Sequence, residues 1–256
     1  MGCPPGRLIA ISLAIRPAIE VQLTFASYNI HKAIGLDRRR DPDRIISVLR
    51  EIDADVVALQ EADRRLGERR SVLPLASLDD HTPYRALPLG GRPESIGWHG
   101  NALLVRRGIE WVGAEVVPLP TIEPRGAVRA DLIAGGHRIR IVGMHLDLSG
   151  LRRRQQVRAI LGDLARCEDA AATVLMGDLN EWAMHGGCLR EFGNSWRVLS
   201  CGPSFPSRRP VAQLDRIVIS PGWRILESCV HHSALAARAS DHLPIYARLE
   251  LPKIWQ

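Results

Sequence analysis

The sequence predicts an α/β domain in which two β-sheets pack together with helices on the outside. Short apolar runs recur along the 256 residues and are typical of strands. Some follow one another closely, as at Gly135-Gly136, a pair that favours a hairpin turn. Helical patterns occur only occasionally between them, a mixture typical of layered α/β architectures. The length suits one large domain, and no linker divides the chain.

The first elements along the chain are a strand, a helix and a second strand. Residues 21–30 predict the first strand. Asp41-Pro42-Asp43 then supplies an N-cap for a helix that ends near Ile52. The apolar side of this helix consists of Ile45, Ile46, Val48 and Leu49. Residues 55–60 predict a buried strand.

The rest of the chain predicts further strands and one long helix. The strands are expected at residues 101–106, 109–117, 127–134, 137–146, 173–177, 213–219, 223–231 and 244–251. The helix is expected from Leu151 to Arg166, because apolar residues recur there at core spacing. These are Val157, Ile160, Leu161 and Leu164. Residues 85–100 carry Pro and Gly and predict one long loop, and the loops 62–98 and 201–212 are expected to set specificity.

Two motifs place a carboxylate beside a second polar group near an apolar run. They are Gly177-Asp178-Leu179-Asn180 and Ser240-Asp241-His242. The first follows a predicted buried strand. Residues two apart on a strand share a face, so Asp178 and Asn180 are expected to point the same way. Taken alone, an Asp-x-Asn segment is equally typical of a turn or cap.

Five other apolar runs begin or end with polar residues. These are Asn29 in the first run, Gln60-Glu61 in the second, Asn101 in the third, His145 and Asp147 in the fourth, and Asp215-Arg216 in the fifth. A charged or amide group at the tip of a buried strand is unfavourable unless it has a partner. We therefore expect the tips to converge on one polar pocket. Carboxylates, amides and imidazoles there would suit a hard metal ion and a phosphate ester.

This ordered series, from about Thr24 to about Leu249, resembles the endonuclease/exonuclease/phosphatase superfamily. That superfamily includes deoxyribonuclease I, exonuclease III-type enzymes, neutral sphingomyelinases and inositol polyphosphate 5-phosphatases. The Leu-Asp-Arg-Ile and Ser-Asp-His-Leu-Pro segments are most similar to its small, generic bacterial members. The resemblance implies a four-layer α-β-β-α sandwich, with two packed mixed, largely antiparallel sheets flanked by helices. It also implies a single catalytic domain over residues 21–256, with the active site at one end of the sheets.

The resemblance implies a bound Mg²⁺ (or Mn²⁺) ion. Glu61 is expected to be a metal ligand, because a carboxylate at a strand tip suits an ion that prefers oxygen. Asn29 is expected to support the metal directly or through water, and Asp241 to face the metal side. The alternatives are a helix cap or surface charge for Glu61 and a turn for Asn29.

The remaining motif residues are matched to catalytic and substrate-binding roles. Asp178 is expected to orient or deprotonate the attacking water, and Asn180 to hold the scissile phosphate or the nucleophile. His242 with Asp215 resembles the His–Asp pair of the family, in which the carboxylate favours a charged imidazole that stabilises the phosphoryl oxygens. His145 is expected to donate a second hydrogen bond to the phosphate.

Asn101 lies where the family has an asparagine on the substrate side. Two further positions are less decided, because Asp147 either orients His145 or caps a loop, and His31 either lines the pocket or lies on a surface loop. The segment Met-His-Leu-Asp lacks the tyrosine of the abasic-site endonucleases, and Leu-Asp-Arg replaces the Thr-Asp-Arg of the 5-phosphatases. Both departures argue against those two activities.

The predicted activity is metal-dependent hydrolysis of phosphate esters, with phosphodiesters as the first choice, by in-line attack of water. The net charge of +6 favours attraction to phosphate, so the candidate partners are a phosphate-ester substrate, nucleic acid or a phospholipid headgroup. The arginine runs could grip phosphates, but runs of charge are more commonly solvated surface. An aromatic content of 5% does not indicate a stacking platform for single-stranded nucleic acid. No obligate protein partner is evident, and a non-catalytic phosphate- or protein-binding protein of the same fold is the alternative.

The five cysteines are odd in number and form no Cys-x-x-Cys motif. This pattern favours a reducing, cytoplasmic compartment and no zinc site. Residues 1–20 are expected to form an N-terminal extension, with disorder as one alternative. The apolar run Leu8–Ile15 is too short to span a bilayer, although it leaves export or membrane association as an alternative.

Overall fold

The computed structural model describes residues 20–64, 67–89, 94–121 and 124–251. The predicted N-terminal extension therefore lies outside the described residues, apart from Glu20. The strands are β1 Val21–Asn29, β2 Val56–Gln60, β3 Tyr84–Ala86, β4 Ala102–Arg106, β5 Glu110–Val117, β6 Gly126–Ala134, β7 His137–His145, β8 Ala172–Asp178, β9 Arg197–Val198, β10 Asp215–Ile219, β11 Arg224–Val230 and β12 Ile245–Leu251. The α-helices are α1 Pro42–Ile52, α2 Leu75–His81, α3 Gly150–Ala165 and α4 Ala236–Ala239.

The strands form two six-stranded sheets. The first has the order β11-β12-β1-β2-β4-β3, and the second has the order β5-β6-β7-β8-β10-β9. Each sheet has one parallel pair near its centre, β1–β2 in the first and β7–β8 in the second. The other neighbours in the described residues pair antiparallel.

Three apolar clusters hold the layers together. The largest lies between the two sheets and includes Phe25, Leu103 and Met176. A second covers the other face of the first sheet, where α1, α2 and α4 pack, and a third joins the second sheet to α3. The molecule is thus the four-layer sandwich of two mixed, largely antiparallel sheets with helices outside, which confirms the predicted fold class.

The two long helices show how the sequence sets the elements. Asp41 caps α1 as predicted, accepting a 3.2 Å hydrogen bond from the backbone N–H of Arg44, and the four predicted apolar residues of this helix are buried. Helix α3 buries Val157 and Ile160 as predicted, but it also buries the polar residues Arg153 and Gln156. Its amphipathic pattern is therefore mixed, because this side of the helix meets polar loops.

Several short elements depart from the predicted pattern. The loop predicted over residues 62–98 contains helix α2 and strand β3. Because β3 ends at Ala86, the prediction that residues 85–100 form one long loop is wrong at its first two residues. Helix α4 and strand β9 also escaped prediction. Elements of two to seven residues span too few turns or alternations for a period to be recognised.

The topology brings the polar strand tips to one end of the sandwich. The parallel strands β1, β2, β7 and β8 end there, at Asn29, Gln60, His145 and Asp178 respectively. The antiparallel strands β4, β6, β10 and β12 begin at the same end, so Asp215 is paired with Asp178 and Gly126 with His145. Among the described residues, no helix has the length and apolar character needed to cross a membrane.

Candidate active site

The carboxylate of Asp178 lies at the centre of the polar cluster. Its side chain is 2% exposed. One oxygen, Oδ2, accepts a 3.0 Å hydrogen bond from the Asn29 amide, and it lies 3.3 Å from Nε2 of His145 and 3.8 Å from Nε2 of His242. Side chains from both sheets therefore converge on one buried oxygen atom, as the strand-tip pattern predicts.

His242 and Asp215 form a buried pair. Nδ1 of His242 lies 2.8 Å from Oδ2 of Asp215, and the Ser204 hydroxyl donates to the same oxygen. The neighbouring Arg216 does not pair with this carboxylate. Its guanidinium donates instead to the backbone carbonyl of Asp215 at 3.3 Å, because successive strand residues point to opposite faces.

The charges in this cluster reinforce one another. Burial would lower the pKa of His242, but the carboxylates of Asp215 and Asp178 outweigh it and raise that pKa to about 10. Burial would likewise raise the pKa of Asp178, yet the hydrogen bond from His145 and the charge of His242 hold it far below its ordinary value. At neutral pH Asp178 is thus a carboxylate, and the neighbouring His242 is a cationic imidazole.

Asn180 lies just beyond Asp178 with a positive φ of 50°. Its backbone N–H donates to Oδ1 of Asp178 at 2.9 Å, and its side-chain amide donates to the carbonyl of Leu146 at 2.9 Å. The turn expected as an alternative is therefore present, and it fixes the Asp178 carboxylate beneath the site. The side chain of Asn180 does not contact Asp178.

Asp241 belongs to a separate edge of the cluster. Its carboxylate is partly exposed and lies 3.8 Å from Nδ1 of His31. The hydroxyl of Ser240, the residue before Asp241, donates to the backbone carbonyl of Asn29 at 2.7 Å and so joins this loop to the end of β1. His31 thus borders the cluster through Asp241, at the start of the short, partly exposed 3-10 helix His31–Ala33.

Glu61 occupies the other side of the site, next to a small cavity. Its backbone is in the left-handed region, with φ 55°, and its carboxylate forms an ion pair with Lys32. Burial opposes ionisation, but the charges of His145 and Lys32 hold the pKa of Glu61 below its usual value. The cavity has a volume of about 30 Å³ and is lined by Lys32, Glu61, Asp63, Arg69, His99, Pro124, Arg125 and His145.

Arg125 and Lys32 are functional candidates that the sequence analysis missed. The Arg125 guanidinium lies against the imidazole of His145. The signal available in the sequence was weak, because an arginine among 34 basic residues carries little information. The position of Arg125 one residue before β6, which pairs with β7 next to His145, was not recognised.

Asn101 is fully buried at the start of β4. Its amide donates to the Trp98 carbonyl at 3.3 Å, and its Oδ1 atom makes no hydrogen bond to the described residues. A Cβ atom on Gly126 would lie 3.7 Å from the Asn101 amide nitrogen, so Asn101 borders the strand that faces His145. Asp147 accepts a hydrogen bond from the Ser149 N–H at 2.9 Å, which corresponds to the loop cap rather than to a partner of His145.

Two arrangements of ligands for a cation can be compared. Asp178, Asp215 and His242 have ligand atoms within 4.8 Å of one another. Nδ1 of His242 already lies 2.8 Å from Oδ2 of Asp215, so only its Nε2 atom faces the carboxylate of Asp178. Glu61 is the better candidate, since its carboxylate oxygens border the cavity rather than a histidine pair.

The chain matches the sequence model of a family described as the Endonuclease/Exonuclease/phosphatase family over residues 26–242. A search of curated proteins finds no match.

Solved structures share the fold. An endonuclease/exonuclease/phosphatase from Bacteroides vulgatus is 17% identical with a TM-score of 0.70, over 91% of this chain and 100% of that chain. D. rerio TDP2, complexed with single-strand DNA product, is 18% identical with a TM-score of 0.68, over 89% and 98%. A mannosyl-6-phosphatase from Bacteroides thetaiotaomicron is 20% identical with a TM-score of 0.65, over 89% and 99%.

Proposed function

Because this chain belongs to the endonuclease/exonuclease/phosphatase family, we propose that it is a divalent-metal-dependent hydrolase of phosphate esters, with phosphodiesters as the preferred class of substrate. The proposed catalytic domain spans residues 21–256. The observation that carries the proposal is the convergence of Asn29, His145 and the His242–Asp215 pair on the carboxylate of Asp178. Such a cluster joins an ionised acceptor to several hydrogen-bond donors in one buried site, as phosphoryl transfer requires.

The residues on the cavity side fit a hard divalent ion. Glu61 lines the cavity and supplies carboxylate oxygens, whereas Asn29 and Asp241, the other expected ligands, lie outside this lining, at the end of β1 and on the neighbouring loop. The cavity of about 30 Å³ beside Glu61 has room for an ion with a water molecule. When bound, Mg²⁺ or Mn²⁺ supplies a positive charge that stabilises the phosphoryl oxygens and the leaving group. Binding would require Lys32 to release the Glu61 carboxylate.

The residues around Asp178 would act on water and phosphate. The strongly lowered pKa of Asp178 keeps it ionised, so it accepts a hydrogen bond from the attacking water and orients it. His242, held cationic by Asp215, donates from Nε2 to a phosphoryl oxygen. His145 and Arg125 add donors on the neighbouring side, and Asn180 holds the scissile phosphate or the nucleophile.

The substrate class is proposed from charge and from the relatives. The net charge of +6 favours anionic esters, and nucleic acid and phospholipid headgroups are both candidates. One neighbour is complexed with single-strand DNA product, and another is a mannosyl-6-phosphatase. These neighbours support both diester and monoester hydrolysis as activities to test.

The test is hydrolysis of bis(4-nitrophenyl) phosphate and 4-nitrophenyl phosphate with Mg²⁺ or Mn²⁺, followed by nicking of supercoiled plasmid. We expect metal-dependent activity that falls about 10²- to 10⁴-fold in Asp178→Asn, because the water loses its oriented acceptor. Glu61→Gln should raise the metal concentration needed for half activity. Glu115→Gln is the matched control, since Glu115 is an exposed carboxylate on β5.

Full metal-dependent activity in both site variants would show that the site is wrongly assigned. Binding of Mn²⁺ to the folded wild type, with no turnover of any ester, would instead favour the non-catalytic phosphate- or protein-binding alternative.

A further inference from the structure

Two aromatic rings meet directly beside His242. The ring of Phe205 lies 4.8 Å from the His242 imidazole, measured between centroids, with the planes tilted by 45°. The ring of Trp182 lies 6.2 Å from Phe205 at an interplanar angle of 88°. The planes of the two rings are thus nearly perpendicular, and the rings form an apolar corner. This corner is continuous with the imidazole that lies 3.8 Å from Asp178.

Trp182 is unusually exposed for its size. Its side chain is 64% exposed, although tryptophan is among the most buried residue types on average. The exposure does not come from a loosely held segment. The preceding residue, Glu181, is buried and accepts hydrogen bonds from the backbone N–H groups of Ala183 and Cys188, at 3.1 and 2.9 Å. It also pairs with Arg153 of α3 at 3.2 Å.

Phe205 is held as firmly on the other side of the corner. Its backbone pairs with Ala212 in an antiparallel bridge, and the adjacent Ser204 hydroxyl binds the Asp215 carboxylate. The same loop carries the exposed residues Arg208 and Arg209. The apolar surface of the two rings therefore adjoins the proposed phosphate site, and the exposed arginines follow Phe205 closely in the sequence.

We propose that Trp182 and Phe205 form a subsite for the nucleobase of a nucleotide-type phosphodiester. The proposal rests on the proposed function, because the phosphate at Asp178 and His242 positions the ester substituent near the corner. A base has a planar π-face that can stack on one ring while its edge meets the other. The neighbouring arginines suit the further phosphates of a strand.

Binding of a lipid acyl chain would place fewer geometric requirements on this surface. It requires apolar area but no fixed arrangement of two perpendicular rings beside the phosphate. The low aromatic content of the chain did not indicate this platform, because composition counts rings and does not show that two of them meet at the site.

The test compares substrates that differ only in one base. The dinucleotide thymidylyl-thymidine is compared with two analogues in which one or the other thymine is replaced by hydrogen. We expect the wild type to prefer the intact dinucleotide, and Trp182→Ala to lower its kcat/KM by about 5- to 100-fold, the range for the loss of one stacked base. One of the two analogues lacks the base that stacks at this corner, and Trp182→Ala should leave its hydrolysis nearly unchanged. Trp182→Phe should restore most of the preference for the intact dinucleotide.

The matched control is Met184→Ala. Met184 is 49% exposed in the same loop, but its side chain has no aromatic ring on which a base can stack. We expect this variant to keep the preference. A single-stranded oligothymidylate provides a further arm. A larger effect of Trp182→Ala on the oligonucleotide would indicate a strand as the source of the base, and an equal effect would indicate a small nucleotide ester.

Equal loss on the intact and both base-free substrates would overturn the proposal. The proposal would also be overturned if the wild type showed no base preference while Trp182→Ala and Met184→Ala lost binding to phospholipid vesicles equally. That result would indicate contact with a membrane instead. Hydrolysis of bis(4-nitrophenyl) phosphate separates the two levels, because it tests the proposed function without a nucleobase. If no diester is turned over, calorimetric binding of the dinucleotide and its analogues still decides the subsite, since stacking requires no chemistry.

Discussion

At the scale of single residues, the site depends on one carboxylate with several partners. Asp178 is buried, yet it stays ionised because His145 and His242 outweigh the unfavourable effect of burial. Burial would lower the pKa of His242, but Asp215 and Asp178 outweigh it and keep His242 cationic. Each group therefore sets the charge of the other, so a substitution at one changes the protonation of both.

The first prediction concerns Asp215. We expect Asp215→Asn to lower kcat by about 10²-fold or more, because the amide no longer favours a cationic His242 or fixes its orientation. The measurement is steady-state hydrolysis of bis(4-nitrophenyl) phosphate, with thermal unfolding to verify folding. Asp147→Asn is the control, since Asp147 is also buried but caps Ser149. A similar loss in both variants would count against a specific role of Asp215.

At the scale of elements, the close approach of β7 and β8 decides where the site residues lie. A Cβ atom on Gly177 would lie 1.8 Å from the backbone oxygen of Met144. This parallel pair carries His145 and Asp178 at its carboxyl end, in register with each other. Glycine at 177 is therefore needed for the close approach of the strands, one residue before Asp178.

We expect Gly177→Ala to destabilise the fold by about 1–3 kcal/mol or more, because backbone atoms must shift to admit the methyl group. Activity should fall with it. Urea unfolding measures the change. Gly113→Ala on β5 is the control, since no heavy atom lies within 4 Å of its Cβ position. An unchanged free energy of unfolding in Gly177→Ala would mean that the two strands separate without penalty.

A cross-strand ion pair stabilises β6 against β7. The guanidinium of Arg140, 5% exposed, binds both oxygens of Asp131 at 2.7 and 2.8 Å. Burial would raise the pKa of Asp131, but the hydrogen bonds and charge of Arg140 lower it. A lowered folded-state pKa contributes stability above the unfolded pKa of about 4, and this contribution is lost as the pH falls through the folded pKa.

We therefore expect Asp131→Asn to lower the free energy of unfolding by about 1.5–3 kcal/mol at pH 7, the range for hydrogen bonds to charged groups. The difference from wild type should narrow below about pH 4, as Asp131 is protonated in the wild type. Urea unfolding across this range measures both effects. Asp79→Asn, in an exposed pair with Arg107, should change stability by less than about 0.5 kcal/mol at either pH. A pH-independent difference would contradict the linkage.

At the scale of the whole molecule, positive charge surrounds the site. The arginine-rich loops that carry residues 38–40 and 208–209 lie at the end of the sandwich where the strands converge. Such a field favours the approach of anionic substrates over a distance of several ångströms.

Salt dependence is the corresponding prediction. We expect KM for a single-stranded oligonucleotide to rise with salt, with a log–log slope of about 0.7 for each phosphate contacted. KM for bis(4-nitrophenyl) phosphate, with one charge, should change much less. Both are measured on the same preparation over one range of NaCl. Parallel salt dependences would mean that the flanking arginines contact no further phosphates.

Local sequence patterns are sufficient to predict the layered α/β class, the long elements and the polar tips of the strands. Periodicity and capping depend on nearest neighbours along the chain, so helix α1 and the strands β1, β2 and β8 follow the predicted bounds closely. The same local pattern placed Asp178, His145 and His242 among the candidates, although their roles stay predictions.

Which strand tips meet depends on the three-dimensional packing of the chain. Asn29 and Asp178 are 149 positions apart in the sequence, and their contact arises from the packing of two sheets. Strand order within one sheet decides other contacts, such as Arg125 against His145 and Lys32 against Glu61, and the meeting of two loops brings the rings of Trp182 and Phe205 together. Such contacts depend on strand order and register between distant segments, and local periodicity carries no information about either.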